Sequence, residues 1–310
     1  MPGLVCLVGP TAAGKTALAV ALCQRWGAEI VGCDASQVYR GLDVGTGKAT
    51  AAELGGVRHH LIDVVDPDAP FDAAAYVRHA DAAIADIHAR GRHALVCGGT
   101  GLYLRALLHG LCPAPPLDPG IRATLAERIE AGALPALYQE LQAADPVTAA
   151  RLAPADRQRI ERALGVFLTS GTPLSAWQAQ HGFEENRYPA VVLHLSWPRP
   201  QLHARIEARV AALFAGGFVE EVAALVAAGH GPALRSLSAL GYRYVAAALA
   251  GEGTLAQAQA QTLVATRRYA KRQTTWFGGL EGAVPLAAPV DPDDLAVYLR
   301  PLWDAAEPTP

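Results

Sequence analysis

One short segment constrains this chain more than any other feature. Gly9-Pro10-Thr11-Ala12-Ala13-Gly14-Lys15-Thr16 fits the pattern G-x-x-x-x-G-K-[ST]. It stands between an unbroken apolar run, Leu4-Val5-Cys6-Leu7-Val8, and a helical stretch over Ala17–Arg25. Strand, glycine-rich loop and helix in that order make a phosphate cradle. The glycines let several backbone N–H groups converge on one anion, and the helix N-terminus adds partial positive charge. Lys15 brings a full charge to the terminal phosphate, and Thr16 brings a hydroxyl suited to Mg²⁺. The apolar run is itself informative, because a strand without polar alternation is buried on both faces, as in a parallel sheet covered by helices.

The rest of the chain continues that pattern before departing from it. Glu29–Asp34 reads as a second strand, His60–Val65 as a short strand or extended segment, Asp72–Arg90 as a helix and His93–Cys97 as a buried strand ending at Gly98-Gly99-Thr100. Alternation of this kind predicts an α/β fold with a parallel P-loop sheet flanked by helices. A proline-rich break, Cys112–Pro119, then opens a stretch with helical periodicity and no convincing strand. We read residues 115–188 as an inserted all-helical subdomain, and residues 1–114 with 189–310 as the P-loop core. Val191–Leu195 returns as a strand, followed by helices over Gln201–Ala215, Val219–Ala228 and Leu255–Phe277 and a last short strand and helix from Ala283.

Composition narrows the class. Net charge is −3 with 18% charged residues, so nucleic-acid binding would need local patches. Lys15, Lys48 and Lys271 are the only lysines, and the other cations are arginines, the better bidentate partners of phosphate. The five cysteines are odd in number and show no C-x-x-C spacing. They imply a reducing compartment with neither a disulfide framework nor a zinc site. No leader and no membrane-spanning run is expected, and the protein should be cytoplasmic.

The chemistry-bearing residues fall around the loop. Most P-loop nucleotide hydrolases place a metal-binding Asp at the end of a later strand, but here that strand ends in Gly98-Gly99-Thr100. Asp34 is the carboxylate best placed beside the loop, and it suits a base acting on a substrate as well as a metal ligand. Arg205 and Arg209 stand four apart on one helix face. A diphosphate needs more positive charge than Lys15 alone provides, and an arginine fork is the apt partner for a leaving oxygen. Asp156 is a plausible N-cap for a helix carrying Arg157, Arg159 and Arg162, while Arg267, Arg268, Lys271 and Arg272 form a basic stripe on the last long helix. Trp276 and Phe277 are expected in the core. His59 and His60 have no partner at metal-ligand spacing.

Taken in order, several segments resemble the tRNA dimethylallyltransferases, also called tRNA isopentenyltransferases. They are the phosphate loop, Asp34–Tyr39, Asp43–Lys48, His60–Asp63, Gly98–Tyr103, Asp156–Leu164, Gly241–Arg243 and Arg267–Gln273. The resemblance implies that dimethylallyl diphosphate is the donor, that N6 of an anticodon-loop adenosine (position 37) in tRNA attacks its C1, and that pyrophosphate leaves with Mg²⁺. Gly9 through Thr16 would then hold a diphosphate, with Arg205 in support and Thr16 on the metal. Asp34 would be the general base, with Thr100 near the amine or diphosphate and Arg209 on the leaving group. Contact with tRNA is carried over to Asp34, Ala35, Ser36, Gln37, Thr100, Arg122, Gln158, Arg159, Ile160, Glu161, Arg162, Ser238, Gly241, Tyr242, Arg243, Arg267, Lys271 and Arg272. Ala35 stands where the family usually has Ser, and Tyr244 where it often has Glu or Gln, which puts those two contacts in question. A monomer without membrane attachment is expected. The residues also leave open a P-loop small-molecule kinase, an enzyme prenylating free AMP or ATP, and a nucleotide-controlled binder. Phosphate transfer from ATP or prenylation of free nucleotide would reveal the first two, whereas the convergence of Asp34, Thr100 and Arg209 disfavours the third.

Overall fold

The computed structural model describes residues 3–182, 186–237 and 239–304. From the N-terminus run β1 (Leu4–Val8), α1 (Lys15–Trp26), β2 (Glu29–Cys33), α2 (Ala51–Leu54), β3 (His59–His60), α3 (Ala73–Ala89), β4 (Ala94–Gly98) and α4 (Gly101–His109). Five helices follow: α5 (Pro119–Glu130), α6 (Leu134–Ala144), α7 (Pro146–Ala149), α8 (Arg157–Ser170) and α9 (Leu174–His181). The chain then forms β5 (Ala190–Ser196), α10 (Arg199–Ala215), α11 (Phe218–Ala227), α12 (Gly231–Ser236), α13 (Tyr242–Leu249), α14 (Leu255–Gly278), β6 (Val284–Ala287) and α15 (Pro292–Asp304).

The strands make one sheet in the order β3-β2-β4-β1-β5-β6, with every pairing parallel. Period-two alternation sorts its side chains between two cores. Leu4, Cys6, Val8, Val31, Cys33 and Val96 pack on one face with Tyr76, Ile84, Leu104 and Phe277. Val5, Leu7, Ile30, Leu95, Leu193 and Leu195 pack on the other with α1 and α15. Because β2, β4 and β3 lie on one side of β1 and β5 and β6 on the other, the carboxyl end of β1 sits where the winding reverses. Open α/β sheets hold their ligands at that position.

Two compact units divide the chain, one reaching Leu108 and resuming at Arg187, the other His109–Asn186. The second unit begins six residues before the proline-based boundary, because Arg162 of α8 donates to the carbonyls of Pro115 (3.1 Å) and Ala114 (3.5 Å) and ties the proline segment to its own helices. Its core is Leu125, Ile129, Leu137, Leu141, Ile160 and Leu164. Asp156 caps α8 as expected, accepting from the Arg159 amide. Of the segment His60–Val65, expected as a short strand or an extended segment, only His60 is in a strand (β3, His59–His60), because Leu61 and Asp63 take positive φ and bend the chain away. Helices α12 and α13 went unseen in sequence, since each is a short apolar turn beside a glycine. Trp276 is 44% exposed, against expectation, while Phe277 is buried. Among the described residues no single helix is long and apolar enough to cross a membrane.

One buried charge fastens the sheet edge. Glu29, on β2, is 1% exposed and accepts from Arg90, Arg92 and His60 (Nε2, 2.6 Å). The Arg90 hydrogen bonds, against the opposing effect of burial, hold its carboxyl down at about 2. A carboxylate depressed in the folded state contributes stability above its unfolded pKa and loses it as pH falls toward the folded value. Glu29→Gln should therefore cost roughly 2 kcal/mol at neutral pH. It should also flatten the loss of stability on acidification below about pH 4.5, as measured by denaturant unfolding across pH.

Candidate functional site

The phosphate loop leaves β1 and closes on α1. Ala12 is held at φ 63°, an uncommon conformation for a residue with a side chain, and Lys15 donates to the Pro10 carbonyl at 2.8 Å. The amides of Gly14, Lys15 and Thr16 have no protein acceptor among the described residues, so the start of α1 offers free donors to an anion. A cavity of about 650 Å³ opens over them. Lys15, Thr16, Asp34, Gln37, Arg205 and Arg209 line it, as do Thr46, Gly47 and Lys48 of the loop before α2.

Helix α10 reaches both walls with its two arginines. Arg205 donates to the Ala12 carbonyl at 2.7 Å and lies over the Trp197 ring, 4.6 Å from its centre, while the Trp197 indole donates to the Ala13 carbonyl at 2.9 Å. Arg209, one turn on, donates to the Thr46 carbonyl at 3.0 Å. It comes so close to Gly47 that a Cβ there would lie 2.1 Å from the guanidinium and displace it, and the φ of 63° at this position itself favours glycine. Burial lowers the pKa of Arg209, with Asp34 opposing the shift. Burial likewise lowers that of Lys15, offset in part by Cys97 and Asp34. Two cations partly stripped of water and facing one cavity favour an anionic ligand.

Asp34 stands at the carboxyl end of β2. Its Oδ1 accepts from the amides of Ser36 (2.8 Å) and Gln37 (3.4 Å), fixing the carboxylate in a local turn and leaving its other oxygen for a ligand. Thr100 does not line the cavity. Its Oγ1 accepts from the Ala35 amide at 3.0 Å, so this hydroxyl steadies the turn that carries Asp34. Ala35 packs its methyl group against the core, and the Gln37 amide donates to the carbonyls of Thr46 and Gly47.

The remaining sequence assignments separate by exposure. Arg122, Gln158, Arg159, Arg243, Lys271 and Arg272 present exposed side chains, with Glu161 partly buried. Arg267 is paired with Glu207, and Arg243 lies over the Tyr244 ring. Three of the assigned residues are engaged within the protein itself. Ile160 is wholly buried in the helical core. Tyr242, also fully buried, donates to Glu221 at 2.6 Å. Arg162 is engaged with the carbonyls of the proline segment. Gly241 is buried beneath α13, and Ser238 lies outside the described residues.

Some organising residues went unassigned in sequence. Glu221 accepts from the amides of Asp43 (2.9 Å), Val44 (2.6 Å) and Gly45 (3.1 Å), holding the loop that forms the cavity wall. Lys48 donates to the Tyr39 carbonyl (2.7 Å) and to Asp43 and Asp63 (2.6 Å each). Gln273 of α14 bonds to both Thr11 and Gly99. Lys48 carried a signal, being one of three lysines in an arginine-rich chain. Glu221, in an otherwise ordinary helix, carried none, and Gln273 stood only as the last residue of the Arg267–Gln273 segment.

Among the described residues no three His, Cys, Asp or Glu side chains gather as an ion-holding set. The cavity lining includes the Thr16 hydroxyl beside the phosphate loop and the carboxylates of Asp34 and Glu53. Such a set fits a hard divalent ion held largely by phosphate oxygens and water, the usual habit of Mg²⁺.

Residues 37–279 match the family model described as IPP transferase. The tRNA dimethylallyltransferase of Anaeromyxobacter dehalogenans (strain 2CP-C) is 53% identical over 293 residues, covering 94% of this chain and 97% of that protein. That of Geobacter sulfurreducens is 48% identical over 274 residues, covering 88% of each. Among solved structures, the tRNA isopentenylpyrophosphate transferase of Bacillus halodurans superposes with TM-score 0.72 at 32% identity, covering 99% of this chain and 98% of that one. A eukaryotic dimethylallyltransferase acting on tRNA superposes with TM-score 0.78 at 22% identity, covering 99% and 81%, and shares the fold.

The lowered pKa of Lys15 gives the site a testable pH dependence. A bound oligophosphate favours the ammonium form, so binding takes up a proton once the free enzyme has begun to lose it. Affinity for inorganic pyrophosphate should fall as pH rises through the lowered pKa, with proton uptake visible by calorimetry in buffers of different ionisation enthalpy. Lys15→Ala should abolish most of the binding and leave the thermal midpoint near wild type.

Proposed function

This chain belongs to the IPP transferase family of tRNA dimethylallyltransferases, and from that premise we propose that it joins the dimethylallyl group of dimethylallyl diphosphate to N6 of an anticodon-loop adenosine in tRNA. The observation that carries the reading is the joint lining of one cavity by Lys15, Arg205 and Arg209 on the phosphate side and Asp34 on the other. The free amides of Gly14 to Thr16, with Lys15, would hold the diphosphate. The arginines would take up the charge that grows on the leaving oxygen as the C1–O bond breaks. N6 forms the new bond to C1, and its proton passes to the free oxygen of Asp34. Pyrophosphate carries away the electron pair of the broken bond. Thr16 and the diphosphate oxygens would hold Mg²⁺, which supplies further charge neutralisation when bound.

The acceptor is read from charge placed away from that cavity. Gln158 and Arg159 on α8, and Lys271 and Arg272 on α14, expose side chains suited to phosphate. A free nucleotide would not require them. The protein is read as a cytoplasmic monomer.

Asp34→Asn preserves size and most hydrogen bonding but removes the base. Turnover with dimethylallyl diphosphate and tRNA should fall ~10²–10⁴-fold while tRNA affinity holds, and near-normal turnover would remove Asp34 from that role. For the acceptor, Lys271→Ala with Arg272→Ala should weaken tRNA binding and reduce its salt slope by about one or less for each phosphate no longer neutralised. Pyrophosphate binding should stay constant. Arg162→Ala should instead destabilise the helical unit. Prenylation of AMP or ATP as efficiently as tRNA would transfer the chain to the free-nucleotide enzymes.

A further inference from the structure

Helix α14 buries Thr262, Thr266, Ala270, Gln273 and Phe277 along one face. The two threonines satisfy their hydroxyls within the helix, on the carbonyls of Ala258 and Thr262 at 2.7 Å each. Gln273, 5% exposed, bonds outside it. Its Oε1 accepts from the Thr11 amide at 2.8 Å and its Nε2 donates to the Gly99 carbonyl at 2.8 Å. The two partners fix which way the carboxamide points. A flipped amide would set Nε2 against an N–H and Oε1 against a carbonyl. The approach is close enough that a Cβ on Gly99 would lie 2.2 Å from Nε2, so a side chain there would displace the carboxamide. Packing alone would be served by a methionine of similar length, so two buried bonds of opposite polarity call for another explanation.

What they join gives that explanation. Thr11 belongs to the phosphate loop. Its N–H faces Gln273 and is therefore not among the donors left for an anion, which include those of Gly14 to Thr16. Gly99 precedes Thr100, whose amide donates to the Cys33 carbonyl (3.1 Å) and whose hydroxyl accepts from Ala35, the residue after Asp34. The route Thr11–Gln273–Gly99–Thr100–Ala35–Asp34 therefore connects the anion cradle to the carboxylate. Tyr269, one turn earlier on α14, adds a longer bond to the Gly99 carbonyl at 3.4 Å. We propose that Gln273 is a positioning residue for the transfer reaction, holding the phosphate loop and the Asp34 turn in one register so that leaving group and base stay correctly spaced. The proposal rests on the reading of the cradle as a diphosphate site.

Two variants of the full chain test it. Gln273→Met keeps the volume and removes both bonds. Its affinity for inorganic pyrophosphate should drop about tenfold, and transfer to tRNA at saturating donor about 10²-fold, with tRNA affinity unchanged. Gln273→Glu supplies a conservative rescue. A protonated carboxyl offers one donor and one acceptor, as the amide does, whereas the carboxylate offers acceptors alone. The ratio of its pyrophosphate affinity to that of wild type at the same pH should rise as pH drops from about 8 to about 5, since burial raises a carboxyl pKa. Taking the ratio cancels the pH effects common to the two proteins. Wild-type pyrophosphate affinity in Gln273→Met overturns the proposal whatever happens to stability, as does a Gln273→Glu deficit that is the same at every pH. If wild type itself fails to bind pyrophosphate, the diphosphate reading fails and this proposal falls with it.

Discussion

Charge in the crevice at the end of β1 is the constraint that organises this molecule. Lys15 sits partly buried beneath its own loop, Arg209 presses on Gly47, and burial works against the charged form of each. Cations arranged this way need a counter-charge. Asp34 supplies part of it, and the free amides of Gly14 to Thr16 add further positive potential. A site of this kind suits a multiply charged anion, with the Asp34 carboxylate in the same cavity.

Holding those charges together takes elements far apart in the chain. Helix α10 spans the cavity, with Arg205 on the phosphate loop and Arg209 on the Thr46 carbonyl. Glu221 of α11 gathers three amides of the Asp43–Gly45 loop, and Tyr242 of α13 donates to the same carboxylate. Helix α14 closes the arrangement through Gln273. The sheet sets the turns at its carboxyl edge, and the helices after β5 fix their spacing. The helices after β5 therefore contribute to the site alongside the phosphate loop.

The readable parts of the sequence were those governed by local rules. Apolar runs announced β1, β2, β4 and β5, because strands buried on both faces have no polar alternation. The loop motif announced Lys15 and Thr16, and helical spacing placed Arg205 and Arg209 together. Where tertiary contacts decide, the sequence was silent or misleading. Ile160 and Tyr242, assigned within their motifs, fill cores. Thr100, expected near the amine or the diphosphate, accepts from the Ala35 amide in the turn that carries Asp34. Arg162 belonged to an arginine cluster, yet its hydrogen bonds go to a backbone segment 47 residues away. A single glutamine or glutamate in a helix shows no periodicity of its own, so the bonds of Gln273, the last residue of a family-like segment, and of Glu221 became legible only once their partners were in place.

The central claim is that the anion cradle and Asp34 serve one group transfer, from a diphosphate to a tRNA amine. The most direct measurement follows both products at once. Dimethylallyl diphosphate labelled in the prenyl carbon is incubated with the protein and total tRNA, released pyrophosphate is counted, and the RNA is digested to nucleosides. The account predicts pyrophosphate and an N6-prenylated adenosine in equal amounts, with neither formed when tRNA is omitted. Pyrophosphate released without label in RNA, or label on a free nucleotide in place of tRNA, would contradict it.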